Sequence, residues 1–414
     1  MRQAVSPSRI DGTLVAPPSK SVMIRVTAAA LLAGGARTRI SNPSLCDDAL
    51  SGLRVAEGLG AAVEVADGEV TIEGGLRPAR RLLDCGESGL CLRMFLAVGA
   101  LWNEELTLTG RGPLLRRPTT AVEHPLRALG ATCRTQNDRP PVTVCGPLHG
   151  GEASVDGALS SQFLTGLLLA LPCAEKDSRL HVENLASRPY VELTLTLLRR
   201  FGVRIERLDE DRFVIPGGQR PTIGEWHVEG DWSAAASLLV LGAVGGRIRV
   251  NGLNPDSVQA DRRILDVLAE AGARVMRLAG GAEVEHDRLR AFRFDATDAP
   301  DLVPPLAALA CHCEGTSVLT GVGRLKYKET SRAEIIAREL SALGVRIDAG
   351  DDTLVVSGGP IKGGSVRSHG DHRIAMALAA AAVGARGPVA IEGVEHVAKS
   401  YPGFLDDLAT VRSP

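Results

Sequence analysis

The residues best suited to chemistry in this chain are polar groups placed at the starts of apolar helices. Pro17-Pro18 ends an extended stretch, and Ser19-Lys20-Ser21 then leads into an apolar run with Arg25 one turn in. A helix start of this kind offers hydroxyls, free backbone N–H groups and two cations to an anion. Five further apolar Ala/Leu runs open in the same way. Their motifs are Gly86-Glu87-Ser88-Gly89 with Arg93, Ser160-Ser161-Gln162, Glu229-Gly230-Asp231-Trp232-Ser233, Asp298 to Asp301, and Gly370-Asp371-His372-Arg373. One such motif is an ordinary N-cap. Six in equivalent positions predict a shared anion site, with helix starts converging on the cleft between two domains. Each terminus adds roughly 0.3–1 kcal/mol toward an anion, against about 1.5–3 kcal/mol for a charge-assisted hydrogen bond. Side chains, not dipoles, therefore decide what binds.

A second set of polar residues follows the edge strands: Arg116-Arg117-Pro118, Ser187-Arg188-Pro189-Tyr190, Lys326 to Arg332, and Ala398-Lys399-Ser400-Tyr401-Pro402. In Lys328-Glu329-Thr330-Ser331-Arg332 a glutamate stands between two cations, an arrangement that readies a carboxylate for proton transfer. Only six of the 47 basic residues are lysines, and four of these (Lys20, Lys326, Lys328, Lys399) fall in the motifs above. Lysine is the cation that can release a proton. There is no Gly-x-Gly-x-x-Gly or Walker loop, no serine–histidine hydrolase pattern and no metal-ligand spacing.

Composition narrows the class. A net charge of −2 and an aromatic content of 3% argue against nucleic acid as partner. No apolar run is long enough to span a membrane, and residues 1–17 lack a signal-peptide pattern, so a cytoplasmic protein is expected. The eight cysteines are scattered. Even Cys311-His312-Cys313 sits in an apolar run, so they read as reduced core residues.

The elements that position these motifs repeat. Amphipathic segments end in glycine at Gly60, Gly130, Gly202, Gly272 and Gly344, spaced 70 or 72 residues apart. Interleaved with them are the six apolar runs Met23–Leu32, Arg93–Leu101, Phe163–Leu171, Ala234–Leu241, Leu302–Ala310 and Ile374–Val383. One unit is a buried helix, a strand, an amphipathic helix and two strands, as in Val203–Ile205 followed by Arg212–Ile215. The 414 residues hold six such units. The sixth is cut short after Phe404–Thr410, while strand-like residues Arg9–Val15 precede the first, so the N-terminal segment is expected to complete the last unit's sheet. This predicts an α/β protein of two domains with three units each: 19–228, and a discontinuous 1–18 plus 229–414.

These motifs resemble the EPSP synthase (3-phosphoshikimate 1-carboxyvinyltransferase) family. The matching stretches are Pro-Ser-Lys-Ser-x-x-x-Arg at 18–25, Ser-Ser-Gln-Phe-Leu-Thr at 160–165, Ser-Arg-Pro-Tyr at 187–190 and Glu-Gly-Asp at 229–231. Lys-Glu-Thr-x-Arg at 328–332, Asp-His-Arg-x-Ala-Met at 371–376 and Ala-Lys-Ser-Tyr-Pro at 398–402 complete the set. The resemblance implies a two-domain inside-out α/β barrel of six βαβαββ units. It implies transfer of the enolpyruvyl group of phosphoenolpyruvate to the 5-hydroxyl of shikimate 3-phosphate by addition and elimination, in chorismate and aromatic amino acid biosynthesis. No metal or organic cofactor is implied, and a monomer is expected.

Residue by residue, the resemblance places Lys20 on both substrates. Ser21, Arg25, Ser160, Ser161, Gln162, Ser187, Asp301 and Lys328 would hold shikimate 3-phosphate. Gly89, Arg117, Gln162, Arg332, Arg373 and Lys399 would hold phosphoenolpyruvate. Asp301 matches the family's base for the hydroxyl. Glu329 matches the acid that protonates the methylene, with Lys399 as the other candidate. The substrates bring about five to six negative charges, close to the charge of the seven cations less two carboxylates. An empty cleft would then repel itself, and closure on substrate is expected.

Four positions depart from the family's pattern: Glu87, Leu90, Arg324 and Ser331. The glycine loop reads Gly86-Glu87-Ser88-Gly89-Leu90, with a carboxylate where relatives have an amide, so the contact to phosphoenolpyruvate and the response to glyphosate stay open. Arg324 and Ser331 stand where some relatives have asparagine and aspartate. The sister family acting on UDP-N-acetylglucosamine commonly carries a loop cysteine in the region of Gly110–Pro118, and none is present. An RNA 3′-phosphate cyclase shares related units but needs a nucleotide. A non-catalytic anion-binding protein would leave Asp301 and Glu329 without a purpose.

Overall fold

The structure, a computed structural model, describes residues 1–119, 122–222 and 224–413. It forms two compact α/β units, one of residues 1–17 with 229–414 and one of 18–228. The chain passes from one to the other at Pro17–Pro18 and at Val228–Glu229.

Each unit is built on three buried helices. In residues 18–228 these are Lys20–Leu31, Gly89–Gly99 and Gln162–Ala170. In the other unit they are Trp232–Gly245, Val303–Ala310 and His372–Val383. Their sequences are apolar on every side, which a helix tolerates only when surrounded by other elements. All eleven residues of Gly89–Gly99 are buried. The second helix type carries one apolar face. Arg188–Arg200 buries Val191, Leu193, Thr194, Leu197 and Leu198 and leaves its charged side outward. Gly60, Gly130, Gly202, Gly272 and Gly344 follow such helices with φ of 112°, 99°, 77°, 95° and 89°. Only glycine adopts this left-handed turn without strain, which is why the periodic glycine is visible in the sequence.

One sheet pattern recurs. Leu82–Asp84 pairs in parallel with Leu106–Thr109, which pairs antiparallel with Arg139–Cys145, itself antiparallel to Thr132–Gln136. The sheets of Gly151–Asp156, Ser178–Glu183, Arg212–Ile215 and Glu206–Arg207, and of Arg293–Asp295, Thr316–Thr320, Thr353–Ser357 and Arg346–Ala349, follow the same order. A short strand thus precedes the helices Gly89–Gly99, Gln162–Ala170, Val303–Ala310 and His372–Val383 and pairs in parallel with the strand after each.

Two sequence expectations need correction. Arg2–Val5 does join the last sheet, beside Val389–Glu392. Arg9–Val15, however, lies parallel to Gly246–Asn251 and takes Arg412–Ser413 on its other edge. It fills the place of the strand before helix Trp232–Gly245, because the strand that leads into that helix, Glu225–His227, pairs instead with Arg37–Ser41. Each crossing segment therefore pairs in the unit it leaves and feeds a helix of the unit it enters. Second, Val203–Ile205 is not a strand; the short strand is Glu206–Arg207. The Gln219 amide takes both backbone groups of Arg204, accepting from its N–H at 2.8 Å and donating to its carbonyl at 2.9 Å, which leaves neither for a ladder.

Candidate active site

In residues 18–228, the Ser19 hydroxyl caps helix Lys20–Leu31 by accepting from the Val22 N–H. Lys20, the first helical residue, reaches Asp48 with its Nζ 2.9 Å from Oδ2, and both side chains are largely buried. Arg25 is 1% exposed. Its guanidinium donates to the Thr194 hydroxyl at 3.0 Å, the Ser21 carbonyl at 2.8 Å, the Thr165 hydroxyl at 3.5 Å and the Tyr190 carbonyl at 3.4 Å. Each of those partners is neutral. Burial brings the guanidinium down to about 10, so it stays charged at neutral pH. A buried cation held by neutral acceptors suits an incoming anion.

Arg93 is fixed by the Gln162 Oε1 at 3.0 Å and the Pro118 carbonyl at 2.7 Å. Gly89 lies against it. A Cβ there would stand 2.5 Å from Arg117 NH1 and 2.8 Å from Arg93 NH1, so only glycine lets both guanidiniums approach the helix start. The Ser160 hydroxyl accepts from the Gln162 N–H at 3.2 Å. Ser161 and Ser187 are buried, and Ser187 holds a left-handed φ of 59° as helix Arg188–Arg200 begins. Glu87 packs over Gly112, whose φ is +54°; a Cβ at Gly112 would collide with its carboxylate.

The other unit holds a denser cluster. Arg332 is 1% exposed and each of its three nitrogens faces a different carboxylate. NH1 donates to Asp301 Oδ1 at 2.8 Å, NH2 to Glu329 Oε2 at 2.5 Å and Nε to Asp371 Oδ2 at 2.7 Å. Asp301 also meets Arg373 NH2 at 3.0 Å and Lys328 Nζ at 3.5 Å. Lys399 Nζ lies 3.7 Å from Glu329 Oε1. Burial works to raise the Asp301 carboxyl, but Arg373, Lys328 and Arg332 outweigh it and hold it well below the usual carboxylate range. Burial works against the charge of Arg332, and Asp371, Glu329 and Asp301 together raise its pKa. Burial pushes the Lys328 ammonium down to about 8, against the pull of Asp301.

The helix starts are not equivalent anion sites. Val303-Pro304-Pro305 opens with two prolines, which lack the N–H groups an anion would need. At Trp232–Gly245 the Trp232 N–H donates to Gln259 Oε1 and the Ala234 N–H to Asp231 Oδ1, so that terminus is already capped by the chain. The starts at Lys20, Gly89 and His372 instead bring cations: Lys20 and Arg25, Arg93 and Arg117, and Arg373.

Sequence reasoning locates Asp301, Lys328, Glu329, Arg332, Arg373 and Lys399, and the fold brings these six into one ion-pair network. Lys20, Ser21, Arg25, Gly89, Arg117, Ser160, Ser161, Gln162 and Ser187 all lie in residues 18–228. Within that unit Gly89, Arg117 and Gln162 gather around Arg93, while Lys20 and Arg25 are anchored on other partners. Sequence reasoning does not single out Asp48, Arg93 and Asp371 as site residues. Asp48 looks like a first-turn acid of helix Asp47–Gly58. Arg93 and Asp371 are visible in the motifs that open their helices.

A family model for EPSP synthase (3-phosphoshikimate 1-carboxyvinyltransferase) matches residues 5–408. Among relatives, the 3-phosphoshikimate 1-carboxyvinyltransferase of Aeropyrum pernix is 41% identical over 409 residues, covering 99% of this chain and 95% of that protein. The one from Clostridium kluyveri is 35% identical over 412 residues, with 99% and 96% covered. Among solved structures, an EPSP synthase from Acinetobacter baumannii superposes with a TM-score of 0.83 at 27% identity, over 99% of this chain and 98% of that one. The enolpyruvyl transferase NikO from Streptomyces tendae shares the fold, with a TM-score of 0.77 at 20% identity and 99% of each chain covered. The chain belongs to the EPSP synthase (3-phosphoshikimate 1-carboxyvinyltransferase) family.

Proposed function

We propose that this protein transfers the enolpyruvyl group of phosphoenolpyruvate to the 5-hydroxyl of shikimate 3-phosphate, releasing phosphate, in chorismate and aromatic amino acid biosynthesis. The observation that carries the reading is the Asp301–Arg332–Glu329 network, two carboxylates fixed by one buried arginine inside a ring of cations. An anion-binding protein needs the cations; proton transfer needs carboxylates as well, and Asp301 and Glu329 supply them.

Each residue then has a task. Lys20 contacts both substrates. Ser21, Arg25, Ser160, Ser161, Gln162, Ser187 and Lys328 hold shikimate 3-phosphate. Gly89 admits phosphoenolpyruvate beside Arg117 and Gln162, with Arg332, Arg373 and Lys399 supplying further charge. Asp301 takes the proton of the 5-hydroxyl as its oxygen bonds to C2 of phosphoenolpyruvate. The Glu329–Lys399 pair delivers a proton to C3, which becomes a methyl group. In the second step C3 returns a proton, the C2–O bond to phosphorus breaks, and phosphate leaves. In the empty site three cations make Asp301 a weak base. Substrate phosphate and carboxylate groups draw those cations away and raise its proton affinity when the hydroxyl is in place.

The finer fold in this reading is an inside-out α/β barrel of six βαβαββ units, three in 19–228 and three in 1–18 with 229–414. The former carries most shikimate 3-phosphate contacts and the latter the acid–base residues. A cytoplasmic location fits the eight cysteines, all of them free thiols, and in this reading the protein acts as a monomer. Phosphate release measured with shikimate 3-phosphate and with UDP-N-acetylglucosamine tests the reading. Release is expected with the first acceptor only, and Asp301→Ala and Glu329→Gln should each lower turnover at least roughly 100-fold. Near-normal turnover in either variant removes its assigned role.

A further inference from the structure

One further buried carboxylate, Asp261, has no task in the reaction. Asp261 is 2% exposed, in the short helical turn Ala260–Arg263. Its Oδ2 accepts a hydrogen bond from the Ser233 hydroxyl, on the first turn of helix Trp232–Gly245. That helix packs against the turn Pro300–Leu302, which carries Asp301, and against helix His372–Val383, which carries Arg373. Charged groups that act on Asp261 include Asp301 and Arg373 on those elements and Asp231, which caps helix Trp232–Gly245. The neighbouring arginines are engaged elsewhere: Arg262 donates to the Pro255 carbonyl, and Arg263 stacks over Phe294 at 5.2 Å. Gln259 holds the turn in place by bonding the Trp232 N–H, the Gly230 carbonyl and Glu229.

We propose that Asp261 is a positioning residue whose negative charge, set beside Asp301 and Arg373, raises the proton affinity of Asp301 for the attacking hydroxyl. This rests on the enolpyruvyl-transfer reading of the same site. The physics is that of two carboxylates sharing one cation. When Asp301 takes a proton its own charge is lost, and a fixed like charge nearby favours that loss. A neutral Asp261 would remove that like charge and make Asp301 a poorer base. Asp261 is able to switch between the two states: burial first, then Asp301, push its carboxyl up to about 6, so that it ionises just below neutrality.

The test is the pH profile of kcat for phosphate release with shikimate 3-phosphate, in wild type, Asp261→Asn and Ser233→Ala. A like-charge neighbour that alters proton affinity about tenfold should alter kcat by about three- to tenfold. Asp261→Asn should therefore show that loss above pH 7, with little change in KM for either substrate, and should lack the rise in kcat near pH 6. Ser233→Ala removes a hydrogen bond that favours the ionised form, so its rise should move to higher pH. An Asp261→Asn profile of wild-type shape, or a Ser233→Ala rise that does not move, overturns the proposal; the second result decides if Asp261→Asn fails to fold. A wild-type protein without shikimate 3-phosphate-dependent release rejects the function itself, which is a different outcome.

Discussion

Arg332→Met is the perturbation that reads the acid–base cluster most sharply. It keeps much of the side-chain volume and removes three charge-assisted hydrogen bonds, to Asp301, Glu329 and Asp371. Taken separately these are worth about 1.5–3 kcal/mol each. They do not simply add, because Arg373 and Lys328 still face Asp301 and Lys399 still faces Glu329. Asp371, 0% exposed, keeps the Thr330 hydroxyl and the backbone N–H of Arg373 as donors. Removing one partner of a buried charged network typically costs about 3–5 kcal/mol, and that is the expected loss at pH 7.5. It corresponds to a fall in Tm of about 6–20 °C for a unit of this size.

The loss has a definite pH dependence. Asp301 in the wild type has a depressed folded pKa, so its stabilisation is present above the unfolded value and disappears as pH falls through the folded one. In the variant the depression is smaller. The difference in stability between the two proteins should therefore hold from neutrality down to about pH 4 and shrink only below it, between the variant's folded pKa for Asp301 and the lower one of the wild type. Because the two units need not unfold together, the signal should come from Trp232, in the unit that holds Arg332, with Trp102 and Trp226 replaced by phenylalanine. Denaturant titrations at pH 7.5 and pH 4.0 provide the comparison. A loss under about 1 kcal/mol, the scale of a surface pair, or a loss at pH 4.0 less than half of that at pH 7.5, would refute the reasoning.

Two further outcomes follow from the cations. Lys20→Ala should weaken both substrates by about 10- to 100-fold, the value of one charge-assisted contact, in separate titrations; a change in one affinity alone removes the shared contact. Lys328 loses its charge as pH rises through about 8, so wild-type KM for shikimate 3-phosphate should climb above that pH. In Lys328→Arg the guanidinium stays charged, and an alkaline limb that persists in this variant would mean that another group causes it.

Much of this is legible in the sequence where local rules suffice. The glycines at 60, 130, 202, 272 and 344 need a left-handed backbone, and no neighbour can supply it for another residue. The all-apolar helices have no other way to avoid water. Glu329 and Arg332 are three residues apart, so their ion pair needs only the local turn that leads into helix Arg332–Ala342. What escapes depends on long-range pairing. Asp48 reaches Lys20 from 28 residues away. Gln219 replaces a strand ladder at Arg204 from 15 residues away. The exchange of Arg9–Val15 and Glu225–His227 between sheets is invisible to periodicity, because either strand has the right alternation for either sheet. Asp261 belongs to no motif of the sequence, and its partner Ser233 stands 28 residues away.

The most direct test of the central claim is a turnover of the protein with phosphoenolpyruvate and shikimate 3-phosphate in D2O, followed by mass spectrometry of the product. Addition makes C3 a methyl group carrying one solvent hydrogen, and elimination removes one of its three hydrogens. The expected result is equimolar phosphate and an enolpyruvyl ether of shikimate 3-phosphate with deuterium in part of its methylene, abolished together with turnover in Asp301→Ala. Absence of the ether, or an ether whose methylene holds no deuterium, would contradict it.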